Sequence, residues 1–166
     1  MEGFKQIVLA FDGSKYSVRA LQTAEHITKL SGAKLTVVVV HEPSLDTTVT
    51  PGVVTGDGVQ LYHPHIGALP PHHEGTPSEM NNTPLQDDSA DKVIDDASMR
   101  LSKLTEVDYE ILSGKPAEKI IEFAEEKDAD LIIMGNRGLS GIKKLVMGSV
   151  SKKVLTEASS PVLVVK

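Results

Sequence analysis

Gly135, Gly138 and Gly141 recur at a spacing of three in the C-terminal third of the chain, and Gly148-Ser149 follows shortly after. Glycine admits positive φ and lets a backbone approach a bulky ligand, so that successive N–H groups can turn inward as a small anion nest. Arg137, Lys143, Lys144, Lys152 and Lys153 lie in this stretch, and no Asp or Glu occurs from Leu131 to Thr156. A helix beginning near Gly148 would add unpaired amides and partial positive charge, and Ser149 and Ser151 would add hydroxyl donors. The chemistry these residue types can do is polyphosphate binding. The plainer alternative is a tight strand-to-helix turn with solvated cations beside it. Two familiar phosphate motifs are missing: Gly13-Ser14-Lys15 has no glycine five positions before Gly13, as a Walker loop requires, and the same turn lacks GxGxxG.

The elements that must position this loop are legible as alternating apolar patterns. Residues 6–11 (QIVLAF) read as a buried strand ending at the turn cluster Asp12-Gly13-Ser14, which can also cap a helix. A helix over 17–31 carries Ala20, Leu21, Ala24, Ile27 and Leu30 near 3.6 spacing and stops at Gly32. Residues 35–40 (LTVVVV) are nearly all β-branched, as in a strand covered on both faces. Further on, Asp87 or Asp88 can cap a helix with Ile94, Ala97, Leu101 and Leu104 inward. A half-buried strand over 107–112 follows. Pro116 then opens a helix carrying Ala117, Ile120, Ile121 and Ala124. The pattern closes with a strand over 131–134, a helix over 145–157 and a short strand over 161–165. Such alternation predicts a doubly wound five-stranded parallel sheet, Rossmann-like, with helices on both faces. Ligands of such sheets bind outside the carboxyl ends of the strands, which directs attention to residues 12–14, 40–42 and 135–141.

The net charge of −6 is an average over two unlike parts. From Leu35 to Asp91 there is no Lys or Arg but there are eight acidic residues, so the remainder carries +2. Pro43 to Pro84 holds seven of the nine prolines and five of the 13 glycines, a composition that cannot bury enough apolar surface to offset its ordering entropy. Residues 43–86 are therefore expected to be a flexible insertion after the second strand, within one domain spanning 1–166. Four of the six histidines, His63, His65, His72 and His73, fall here. Imidazoles can bind transition metals, but the spacing matches no recognised zinc pattern and no metal site is assigned. The lack of Cys removes disulfides and thiolate chemistry. The first apolar run is too short for a signal peptide or a membrane span. A cytoplasmic protein without membrane attachment is expected.

The pattern Gly135-x2-Gly138-x9-Gly148-Ser149 resembles the nucleotide-binding signature of the ATP-binding branch of the universal stress protein family. The resemblance extends to IVLAFDGS, LTVVVVHEP and GSVSKKVLTEASSPVLVV, covering roughly 5–42 and 90–166. It implies an adenine-nucleotide-hydrolase-like fold and bound ATP or AMP, with Mg2+ carried on the phosphates. Residue by residue, it implies that Asp12 contacts the ribose and adenine side with Ala10 and Phe11 flanking. It implies that the Val40 backbone reads the adenine edge, and that Met134, Gly135, Arg137 and Gly138 begin and wrap the phosphate loop. Gly148, Ser149, Val150 and Ser151 would hold ribose and phosphates. Without the resemblance, Asp12 reads first as a helix cap. The long insertion departs from the family's shorter connection.

A nucleotide pocket does not by itself make an enzyme. Hydrolysis requires a positioned water and usually a metal held by protein carboxylates, and the loop supplies cations and hydroxyls instead. The leading expectation is a stress-response or signalling module that binds ATP or AMP. The alternative is a slow ATPase or a nucleotidyl-transfer enzyme on the same fold, although the turn after the first strand is short for the latter. The resemblance also implies a homodimer through the strand over 161–165, an apolar segment that would offer an unpaired edge. Three Phe, three Tyr and no Trp give the basic loop no aromatic platform, which argues against nucleic acid.

Overall fold

The computed structural model describes residues 3–43, 89–139 and 147–166. Their order is β1 (Gln6–Ala10), α1 (Lys15–Ser31), β2 (Lys34–His41), α2 (Ser89–Arg100), β3 (Val107–Ser113), α3 (Pro116–Glu126), β4 (Leu131–Gly135), α4 (Ser149–Glu157) and β5 (Val162–Val165). The strands form one parallel sheet in the order β3-β2-β1-β4-β5. The winding reverses between β1 and β4, where Ala10 lies beside Met134. Apart from Pro43, the predicted insertion lies outside the described residues, as do Asp87 and Asp88 with their expected cap.

Strand alternation divides the core into two layers. Ile7, Leu9, Phe11, Leu35, Val37 and Ile133 point to the side covered by α1 and α2. Val8, Val38, Ile132 and Met134 point to the side covered by α3 and α4. Each fully buried Ile or Leu contributes about 1.5–3 kcal/mol by leaving water, so a one-residue slip in β1 would exchange both layers at once. The helix α1 is capped by Ser14, whose Oγ accepts from Ser17 N, and it ends at Gly32 with φ 69°. Pro116 opens α3 as expected.

Three local expectations are corrected. Leu30 is exposed, because at 100° per residue it falls well off the stripe of Ala20, Leu21, Ala24 and Thr28. The helix α2 ends at Arg100, and Leu101 and Leu104 pack from the turn beyond it, with Leu104 N donating to Leu101 O at 2.8 Å. The last helix begins at Ser149 rather than at 145, since Gly148 is its N-cap with extended backbone (φ −71°, ψ 157°). Among the described residues, no helix is long and apolar enough to cross a membrane.

Candidate functional site

The reversal point between β1 and β4 opens onto a cavity of about 440 Å³, within the range that takes small-molecule ligands. Ala10 and Asp12 leave β1, Val40 and Glu42 leave β2, and Met134, Gly135, Arg137 and Gly138 leave β4. Gly148, Ser149, Val150 and Ser151 close the wall from the start of α4. The structure thus brings the sequence-predicted residues to one cavity, with one exception. Phe11 is buried in the layer under α1 and is absent from the lining, because the two-residue strand period that points Ala10 toward α3 and α4 points Phe11 the other way. Lys143, Lys144 and the four insertion histidines lie outside the described residues.

Three consecutive carbonyls of the glycine loop are each held by a protein donor. Gly135 O accepts from Ser151 Oγ at 2.8 Å, Asn136 O from Gly148 N at 2.7 Å, and Arg137 O from Ser14 Oγ at 3.3 Å. In a trans peptide the carbonyl and the following N–H point to opposite sides. Asn136 N accordingly donates the other way, to Val165 O at 2.8 Å. The N–H groups of Arg137 and Gly138, both in the cavity wall, find no acceptor among the described residues.

The start of α4 adds further donors. Its first intrahelical bond runs from Lys152 N to Gly148 O, no side chain caps it, and its first turn carries no acid. The amides of Ser149, Val150 and Ser151 are thereby left for a ligand, together with the partial positive charge of the helix end. Arg137 Nε is buried without a hydrogen-bond partner. An unpartnered buried donor costs about 1–3 kcal/mol, more when charged. The residues present therefore fit a phosphate-bearing ligand.

The three motif glycines answer to different constraints. A Cβ on Gly135 would lie 2.8 Å from Ser17 N and from Tyr16 C, so this glycine admits the backbone of α1 against β4. A Cβ on Gly138 would lie 2.6 Å from Asp12 Oδ2. A Cβ on Gly148 would meet nothing closer than 3.5 Å.

Asp12 is not the cap of α1. Its Oδ1 accepts from Ser14 N at 3.0 Å in an Asx turn, and Ser14 does the capping. Ser151 is buried and its hydroxyl proton goes to Gly135 O, whereas Ser149 is exposed. Beside the cavity, Lys153 of α4 donates to Glu118 of α3 at 3.0 Å. That hydrogen bond holds the Glu118 carboxyl below its ordinary range and raises the Lys153 ammonium.

Ser17, Glu42, Pro116, Ile120 and Leu139 also line the cavity and were not assigned from sequence. Glu42 falls in the stretch leaving β2 that topology had marked. Pro116 and Ile120 carried a helix-start and core signal only, and nothing in their types points to a ligand wall.

The model of the Universal stress protein family matches residues 3–60 and 67–166. The stress response protein NhaX of Bacillus subtilis is 34% identical over 170 residues, covering 97% of each chain. Among solved structures, a universal stress protein in complex with cAMP superposes with a TM-score of 0.62 at 24% identity, covering 98% of this chain and 97% of that one. The universal stress protein from Archaeoglobus fulgidus in complex with dAMP gives 0.57 at 24% identity, covering 100% of each. Both show the same fold.

Proposed function

The chain belongs to the universal stress protein family, and we propose that it is an adenine-nucleotide-binding module of the stress response, taking ATP or AMP in the cavity at the β1/β4 reversal. The observation that carries this reading is the set of unpartnered donors around one cavity: the Arg137 and Gly138 amides and the first turn of α4. The adenylate ligands of the two structural relatives, cAMP and dAMP, support adenine as the base. In this reading Asp12 and Ala10 lie on the ribose and adenine side and the Val40 backbone meets the base edge. The loop from Met134 to Gly138 and the residues Gly148 to Ser151 surround the phosphates, with Mg2+ carried on them.

The protein is proposed to act by binding rather than by rapid turnover, in the cytoplasm. Slow hydrolysis is the second reading, favoured by one observation: Glu42 gives the cavity wall a carboxylate besides Asp12. Turnover by pure protein tests the binding reading, which requires a rate below about 1 s⁻¹, the low end of ordinary enzyme rates; a faster rate would overturn it. Mass spectrometry of nucleotide released on denaturation identifies the resident ligand.

A homodimer through β5 belongs to the same proposal. This edge strand is half-buried throughout, and Leu155 of the neighbouring α4 is exposed, an arrangement that a second copy would cover. A monomer mass by light scattering at micromolar concentration would count against it.

A further inference from the structure

We infer that Ser14 is a positioning residue of the nucleotide site, a staple that fixes the glycine loop to the β1–α1 turn and so aims the loop's free amides. This rests on the nucleotide reading above for its functional consequence, though not for its structural one. Ser14 does not line the cavity, and its sequence context marks it as a turn or cap residue at the carboxyl end of the first strand.

Ser14 is 8% exposed, and every polar atom it has is engaged. Its N–H donates to Asp12 Oδ1 at 3.0 Å, and its carbonyl accepts from Val18 N at 2.9 Å and from Ser17 Oγ at 3.0 Å. Its hydroxyl oxygen accepts from Ser17 N at 3.2 Å, while the hydroxyl proton goes to Arg137 O at 3.3 Å. One side chain thus caps α1 and reaches across the reversal point to the loop after β4. A hydroxyl can do both because it is a donor and an acceptor at once.

The consequence falls on the peptide between Arg137 and Gly138. Holding the Arg137 carbonyl toward α1 turns the Gly138 N–H to the opposite side, and Gly138 is in the cavity wall. Through its N–H, Ser14 also fixes the Asp12 carboxylate, whose other oxygen crowds Gly138. Removing the hydroxyl therefore frees the Arg137–Gly138 peptide to rotate without touching any group that would contact the ligand.

Helix capping and loop stapling separate experimentally. Glycine is nearly as good an N-cap as serine, so Ser14→Gly keeps α1 while deleting the bond to Arg137 O; Ser14→Thr keeps both functions. NMR order parameters of the Arg137 and Gly138 amides are measured on the ligand-free full chain, with ATP and AMP affinity and the melting temperature measured in parallel. Both order parameters should fall in Ser14→Gly, from rigid values toward those of a flexible loop, at a nearly unchanged melting temperature. Nucleotide affinity should fall about tenfold, the worth of one well-placed hydrogen bond, and Ser14→Thr should restore both. Unchanged order parameters or wild-type affinity in Ser14→Gly would overturn the inference. A more mobile loop in a protein whose wild type ignores both nucleotides would uphold the staple and sink the nucleotide reading instead.

Discussion

The carboxylate of Asp12 and the α-carbon of Gly138 come so close that a Cβ on Gly138 would sit 2.6 Å from Asp12 Oδ2. The end of β1 and the loop after β4 therefore share one space, and each limits what the other can be.

Gly138→Ala should force either the carboxylate or the loop to move and should lower nucleotide affinity by about tenfold or more. In an Asp12→Ala background the obstacle is gone, so the same change should cost less. A double-mutant cycle on binding affinity reads this coupling directly. Strict additivity would show that the two residues do not compete for space.

Gly135 and Gly148 should separate fold from function. Gly135→Ala places a methyl against backbone atoms of Tyr16 and Ser17, which cannot yield as a flexible side chain would, and should cost about 1–3 kcal/mol in denaturant unfolding. Gly148→Ala meets only ordinary contacts and should cost clearly less. Equal destabilisation of the two would contradict this division.

The two glycines look alike as letters in a motif, and this marks the limit of what the sequence conveys. The strand and helix order, the glycine loop and about two thirds of the cavity wall were legible, because period and punctuation are local properties. Phe11 was misplaced on the cavity side because flanking Asp12 in sequence is not flanking it in space when side chains alternate. Ser151 read as a ligand donor, and only the fold shows its proton committed to Gly135 O. Ser14 was marked only by its place in the turn after the first strand and Ile120 not at all, since their roles depend on α1 and α3 meeting the loop.

Ser151→Ala should therefore act mainly on stability. It leaves the buried Gly135 carbonyl without its side-chain donor, a loss of about 1–3 kcal/mol, visible as a lower midpoint in urea. Ser149→Ala, at an exposed position, should leave the midpoint within about 0.5 kcal/mol of wild type. A reversed order would place the buried hydroxyl on the ligand side.

Acid stability should depend on Asp130. Its Oδ2 accepts from Gln6 N at 2.8 Å and Lys5 N at 2.7 Å, tying the start of β1 to the start of β4, and these bonds hold the carboxyl below its ordinary range. A carboxyl lowered in the folded state stabilises fully above its unfolded value, about pH 4, and that contribution disappears as pH falls through the lower folded value. Asp130→Asn should thus melt lower than wild type at pH 7 and converge with it toward pH 2. Parallel melting curves across this range would contradict the assignment.

The most direct test of the site is calorimetric titration of the full chain with ATP and with AMP, for wild type and Arg137→Ala. Saturable binding of one nucleotide per chain is expected, weakened about tenfold or more in Arg137→Ala without a lower melting temperature. A wild-type protein that takes up neither nucleotide at about 1 mM and releases none on denaturation would contradict the central claim.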